Sequence, residues 1–318
     1  MKIRAVLITV IIGLLMSGCS KSGRDQVIRI ANFPNVTHAQ ALVMRARSTL
    51  ENEMGEGVDV EWSTFNAGPS VIEAMFAGQI DLAYIGPVPA LNAFEKSRGD
   101  VLVIAGSATG GAALLVTRNS GISDVGDLDG KNVAIPQLGN TQHLYLLALL
   151  KENNLSPVSE GGSVNVIAVS NPDVPGLMDR GELDAALVPE PWASLLELNH
   201  GALPIKQDGK DDATTVVLVR KDFLIDNPEL VAKFLDVHHG ITLEIQENAT
   251  EAKRDVNAQI ELLTGRALPK EVLDSAFARI VFSDEIPMES LELYAEICME
   301  IGLLQSLPDY GQMSPTTW

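Results

Sequence analysis

Val133-Ala134-Ile135-Pro136-Gln137-Leu138-Gly139-Asn140-Thr141-Gln142-His143-Leu144 changes character within a few residues: an apolar run stops at Pro136, the chain turns through Gly139 and Asn140, and a helical pattern begins. A strand that passes to a helix through a tight turn is one step of an α/β fold. At such a turn the first N–H groups of the helix lack intrahelical partners, and the macrodipole places about half a positive charge there. The stretch therefore predicts α/β order and, at its turn, a place suited to an anion.

The same alternation runs outward in both directions. Before it, strand-like runs at Val27–Ala31, Val58–Ser63, Ile80–Ile85, Val101–Ser107 and Ala113–Thr117 are interleaved with helical patterns over Thr37–Met54, Pro69–Phe76 and Pro87–Lys96. Proline at the first helical position opens the last of these. Thr109-Gly110-Gly111 falls between two strands and suits a crossing from one lobe to another. From Lys131 to about Ile205 a second set follows, with strands Asn132–Ile135, Val164–Val169 and Ala185–Val188 and helices Gln142–Lys151, Val174–Arg180 and Pro191–Asn199. Gln207–Asp212 reads as a return linker, Thr214–Arg220 as a strand, and the remainder as helices opened at Asn227-Pro228, Leu268-Pro269 and Ile286-Pro287. The predicted organisation is residues 27–112 with 210–318 as one lobe and 113–209 as the other. The carboxy-terminal helices pack back on the first lobe.

The amino terminus predicts where the chain works. Lys2 and Arg4, the apolar run Ala5–Met16 and then Ser17-Gly18-Cys19 have the order of an export signal, and about twelve apolar residues fall short of the roughly twenty of a membrane span. Leu15-Met16-Ser17-Gly18-Cys19 resembles a bacterial lipobox, with Met16 where leucine is usual; that resemblance makes residues 1–18 a cleaved signal peptide and Cys19 the lipid-carrying residue. Residues 19–26 are then a tether on the extracytoplasmic face of a membrane. The other cysteine, Cys298, falls in a helical pattern as a small buried hydrophobe, so no disulfide is expected.

Of 318 residues 46% are hydrophobic, enough for a large core divided between two lobes. The formal charge is −19, and removal of Lys2 and Arg4 with the signal makes it −21. Nucleic acid is excluded as a partner, because its binding needs a lysine and arginine footprint. An anion site in so acidic a chain depends on short-range donors.

Three turns share one chemistry: Ala67-Gly68-Pro69-Ser70, Gly86-Pro87-Val88-Pro89 and Gly139-Asn140-Thr141-Gln142 each join a strand to a helix start. Ligands in open α/β sheets collect beyond the carboxyl ends of strands, where these turns fall. With Phe33-Pro34-Asn35-Val36-Thr37-His38-Ala39, Phe65 to Pro69, Ile80 to Pro87, Asp127-Leu128-Asp129-Gly130-Lys131, Leu138 to Gln142 and Val188-Pro189-Glu190-Pro191-Trp192, they occur in an order that resembles substrate-binding proteins of the nitrate/sulfonate/taurine class of ABC importers. The likeness runs from about Val27 to Gly302. It implies a two-lobed, type II periplasmic-binding-protein-like α/β fold with two crossovers. It also implies a monomer without cofactor, metal or catalysis that delivers a small solute to an ABC permease and its ATPase.

Carried over by position, Asn35, Thr37, His38, Ser70, Gly86, Pro87, Gly110, Gly111, Asn140, Thr141, Gln142, Glu190 and Trp192 would line the cleft. Ser70 and Thr141 offer hydroxyls beside helix-start amides, and Asn140 and Gln142 offer amide donors to an oxoanion. Trp192 either shields an organic moiety or packs in the core. Glu190 either caps the helix beginning at Pro191 or meets an amine or hydroxyl on the ligand, which would favour a zwitterion such as taurine over nitrate. His38 faces either ligand or surface, and His143 points away.

The chain departs from the family where His143 is followed by Leu144-Tyr145-Leu146 instead of aspartate and a later arginine, and where Ser194 is followed by Leu195 instead of arginine. Metal chemistry lacks a motif: the five histidines are dispersed, and His238 and His239 fall on different sides of a helix. No Gly-x-Ser-x-Gly elbow or Gly-Lys-Ser phosphate loop is present. Three alternatives use the same cleft: an enzyme resembling thiamine-pyrimidine synthases, which work in the cytoplasm, a binder of a pyrimidine-type solute, and a sensor for a membrane kinase.

Overall fold

A computed structural model describes residues 26–315; the export signal, Cys19 and most of the tether lie outside the described residues. The strands are β1 (Gln26–Asn32), β2 (Val58–Thr64), β3 (Leu82–Ile85), β4 (Val101–Gly110), β5 (Ala112–Val116), β6 (Asn132–Ile135), β7 (Asn165–Ala168), β8 (Ala185–Pro189), β9 (Leu203–Gln207), β10 (Ala213–Arg220) and β11 (Ile280–Phe282). They form a six-stranded sheet in the order β11-β4-β10-β3-β1-β2 and a five-stranded sheet in the order β7-β6-β8-β5-β9. Each holds a parallel trio, β2-β1-β3 or β7-β6-β8, flanked by an antiparallel strand that comes from or leads to the other sheet. The two lobes thus share one wiring, although no repeat is visible in the sequence.

Helices cover the sheets: α1 (Ala39–Arg47), α2 (Thr49–Met54), α3 (Gly68–Phe76), α4 (Pro87–Ser97), α5 (Thr141–Glu152), α6 (Val174–Asp179) and α7 (Trp192–His200) alternate with the strands. The remaining helices are α8 (Lys221–Asp226), α9 (Pro228–Asn248), α10 (Thr250–Thr264), α11 (Lys270–Ala278), α12 (Met288–Glu300) and α13 (Tyr310–Met313). The long ones pack on the first lobe, α9 and α10 against α1 and α12 against α4. Central strands are apolar on both faces, as in β3 (Leu-Ala-Tyr-Ile) and β8, because helices cover both sides. Edge strand β2 instead alternates partly buried with exposed residues over much of its length.

Three sequence expectations change. The helix expected over Thr37–Met54 is a 3₁₀ turn at Val36–His38 followed by α1 and α2, which part at Ser48, a left-handed residue with φ of 51°. Hydrophobic spacing carries through that break because both pieces present apolar residues to the same core. The tract opening the return linker proves to be the end of β9, an edge strand whose Leu-Pro-Ile-Lys-Gln lacks strict alternation. The three-residue β11 is likewise too short to give a pattern.

The chain changes sheets twice, between β4 and β5 and between β9 and β10. At the first crossing Gly110 and Gly111 have φ of 68° and 82°, and a Cβ on either would lie 2.8 Å from the Arg279 carbonyl or 2.6 Å from Ile280. Only glycine satisfies both demands at little cost. At the second, Asp208 donates its N–H to the Ala112 carbonyl at 3.0 Å, while its Oδ1 is buried without a partner among the described residues. Burial, with Asp212 adding to it, pushes this carboxyl well above the usual carboxylate range. A group that holds its proton more tightly folded than unfolded contributes stability that is lost as pH rises above that range. Asp208→Asn is therefore expected to stabilise the protein by on the order of 1 kcal/mol at pH 8 and less at pH 5, read from urea midpoints. An unchanged pH slope in the variant would contradict this.

Candidate functional site

The carboxyl ends of both parallel trios face each other across one cavity. Phe33, Asn35, Thr37 and His38 follow β1; Asn66, Ala67 and Gly68 follow β2; Gly86 and Pro89 follow β3. From the opposite lobe come Pro136, Asn140, Thr141 and Gln142 after β6, Asn171 after β7 and Pro189 at the end of β8. Thr214 of β10 completes the wall. The empty space between these residues is about 350 Å³, a figure that includes open solvent at its mouth.

Helices α3, α4 and α5 begin at this cavity, with Ala67, Gly86 and Asn140 as their N-caps. Asn140 Oδ1 accepts from His143 N–H at 2.8 Å, while its amide donates to Gln142 Oε1 at 3.0 Å. His143 turns its Nδ1 back to accept the Gly139 N–H at 3.0 Å, so it braces the turn, and burial lowers its pKa. Burial brings the His38 imidazole down to about 3, which keeps it neutral. Its Nδ1 accepts the Phe33 N–H at 3.4 Å, leaving Nε2–H as a donor. Among the described residues, none of the lining side chains is a lysine, arginine, aspartate or glutamate. A site built from neutral donors and three helix starts can stabilise a single negative charge without a counter-ion.

Contacts across the cavity hold the lobes together. Asn66 donates to Ser170 Oγ at 2.8 Å, Gln137 to Ser70 Oγ at 3.1 Å, and Val88 N–H reaches Thr141 Oγ1 at 3.4 Å. Gly86 lies close against the opposite lobe, where an added Cβ would stand 2.4 Å from Thr141 Oγ1. Thr141 is β-branched and short, so it can yield only by giving up the contact with Val88 or by parting the lobes. Gly86→Ala is expected to weaken solute binding by roughly tenfold to a hundredfold, in line with the 1–3 kcal/mol of overpacking. Calorimetric titration should show the loss reduced in the Gly86→Ala/Thr141→Ala double variant relative to Thr141→Ala alone. Equal losses in both backgrounds would remove the steric account.

Of the residues expected from sequence, Asn35, Thr37, His38, Gly86, Asn140, Thr141 and Gln142 meet at the cavity, whereas Ser70, Pro87, Gly110, Gly111, Glu190 and Trp192 are not among its lining. Ser70 faces Gln137 across the lobes, and the two glycines form the first crossing. Trp192 is buried and donates its indole N–H to Asn35 Oδ1 at 2.8 Å, so it sets the orientation of a lining residue. Glu190 is 0% exposed; its carboxylate caps the first turn of α7 by accepting from Ser194 N–H at 3.0 Å and Ser194 Oγ at 2.9 Å. It also faces the Arg279 guanidinium of the other lobe at 3.3 Å, and Arg279 reaches Glu197 at 2.6 Å. Burial raises the Glu190 pKa against the pull of Ser194 and Arg279. An amine on a ligand therefore does not find Glu190 free.

Sequence reasoning missed Asn66, Asn171 and Thr214. The rule that singled out the other turns, ligand atoms beyond strand ends, applies equally to β7 and would have reached Asn171. Thr214 had no such signal, because it lines the cavity from within a strand.

A cavity between two like-wired α/β lobes, floored by helix starts and spanned by two crossings, defines a two-lobed solute-binding protein fold. Residues 22–260 match the NMT1-like family, and the chain belongs to that family. Among curated relatives, the taurine-binding periplasmic protein of Escherichia coli (strain K12) is 33% identical over 213 residues, 66% of this chain and 64% of that protein. A putative aliphatic sulfonates-binding protein of Bacillus subtilis (strain 168) is 26% identical over 292 residues, covering 89% of this chain and 86% of that one. The alkanesulfonate-binding protein SsuA from Xanthomonas axonopodis pv. citri, solved bound to MOPS, shares the fold with a TM-score of 0.73 at 20% identity, over 92% of this chain and 98% of that one.

Proposed function

We propose that the protein is an extracytoplasmic solute-binding protein of an ABC importer, anchored by a lipid on Cys19, that captures a small sulfonate-like oxoanion or zwitterion between its lobes. One lobe comprises residues 27–112 and 210–318 and the other 113–209. The observation that carries the reading is the convergence of three helix starts on a small cavity lined only by neutral side chains. A sulfonate bears one delocalised charge that such dipoles satisfy without desolvating a cation. The names of the relatives, taurine-binding and aliphatic sulfonates-binding, point to the same class. Asn35, Thr37, His38, Gln142 and the first turns of α3, α4 and α5 supply donors; Asn140 and Thr141 shape the turn that presents them.

Closure gives the mechanism. A ligand that touches both lobes gains contacts only when they meet, so its binding energy shifts the population toward the closed form that a permease reads. The test is a thermal-shift screen of the mature domain against taurine, alkanesulfonates, nitrate, phosphonates and pyrimidines. Sulfonates at millimolar concentration should raise the melting temperature by mass action. A shift with a neutral pyrimidine and none with any anion or zwitterion would sink the proposal.

A further inference from the structure

Most polar lining side chains already have protein partners. The Asn35 carbonyl takes the Trp192 indole, Asn66 donates to Ser170, Asn140 bonds His143 N–H and Gln142, and the Thr214 hydroxyl donates to the carbonyls of Ala108 and Gly110. Asn171 differs. It is 4% exposed, lines the cavity, and its Oδ1 is buried without a partner among the described residues. It follows Ser170, the residue that Asn66 grips from the opposite lobe at 2.8 Å, so it lies beside a contact between the lobes. A buried carbonyl with no donor is costly, and sites that keep one supply the donor from elsewhere.

From this we propose that Asn171 is a specificity-determining residue that accepts a hydrogen bond from the far end of the solute, and that the preferred ligand is a short alkane oxoanion carrying an amine or hydroxyl opposite its charged head. The inference rests on the oxoanion reading of the same cavity. The donors Thr37, the Nε2–H of His38 and the helix starts suit the head; the Asn171 carbonyl suits a group that donates. A methyl in that place leaves the carbonyl unpaired in the closed state, and a site built around such a bond discriminates strongly against the analogue that lacks it.

The test is calorimetric titration of the mature protein and of Asn171→Leu and Asn171→Ala with taurine, isethionate, ethanesulfonate and propanesulfonate. Wild type is expected to bind taurine or isethionate at least tenfold more tightly than propanesulfonate, which puts a methyl where they carry the amine or hydroxyl. Both variants should lose that preference to within about threefold while binding propanesulfonate within about threefold of wild type. Two outcomes overturn the assignment: wild type binding propanesulfonate as tightly as its polar counterparts, or the variants weakening all four ligands equally, as a merely structural role would. Binding of none of the four by wild type is a separate result, which removes the oxoanion reading and this inference with it.

Discussion

Arg279→Ala is expected to cost about 3 kcal/mol of stability, the lower end of the 3–5 kcal/mol found when one partner of a buried ion pair is removed. The lower end applies because the Arg279 side chain is 26% exposed, while that of Glu190 is only 1% exposed. Without the guanidinium, Glu190 keeps its two bonds from Ser194 but remains a buried anion facing no cation. Burial already raises its pKa, and losing Arg279 raises it further, so protonation relieves part of the damage. The deficit should therefore be largest near pH 8 and shrink toward pH 5. Adding Glu190→Gln to Arg279→Ala should recover much of the loss at pH 8, since it removes the stranded charge. Urea titrations at the two pH values provide the measurement. A loss below about 1 kcal/mol, or one independent of pH, would show that the pair is held in water and not in the protein.

Acid is expected to act through two other buried groups. The His238 ring accepts from the Tyr84 hydroxyl on Nδ1 at 2.7 Å and donates from Nε2 to the Gly106 carbonyl at 2.9 Å, and burial brings it down to about 4. His38 is lowered to about 3 by the same cause. A base whose folded pKa lies below its unfolded value contributes stability that is complete above about 6.5 and drains away as pH falls toward the folded value. Between pH 8 and pH 5 each ring accounts for a loss of about 2 kcal/mol. The carboxyls of Glu190 and Asp208 gain over the same range and offset part of it. The decisive quantity is thus the difference between wild type and His238→Gln, which can keep a donor and an acceptor but cannot take up the proton. Wild type should lose about 2 kcal/mol more than the variant on going from pH 8 to pH 5. Parallel profiles would refute the assignment.

What was legible in the sequence was whatever depends on local pattern. Gly139-Asn140-Thr141 revealed a strand-to-helix turn because turn chemistry, capping and the change of period all lie within a few residues, and α5 begins at Thr141 as that pattern requires. Gly110-Gly111 marked the first crossing for a similar reason: the backbone there needs positive φ. Side-chain direction was harder to read. Glu190 and Trp192 fall in a motif that lies against the cleft, but which way each points depends on Arg279, Ser194 and Asn35, and two of these are far away in sequence. Strand β11 gains its place only by pairing with β4, so nothing within its three residues could announce it.

With no charged side chain in the cavity lining among the described residues, in a chain of formal charge −19, a singly charged solute would be favoured over a doubly charged one. An approaching monoanion would meet repulsion that salt shortens to a Debye length of about 8 Å at physiological ionic strength, and then the partial positive charge of three helix starts. Sulfate carries twice the charge, meets twice the repulsion outside, and finds inside no lysine or arginine to balance the second half of it. A zwitterion meets almost no barrier at all. Selection between inorganic sulfate and an organic sulfonate would thus begin before either touches a side chain.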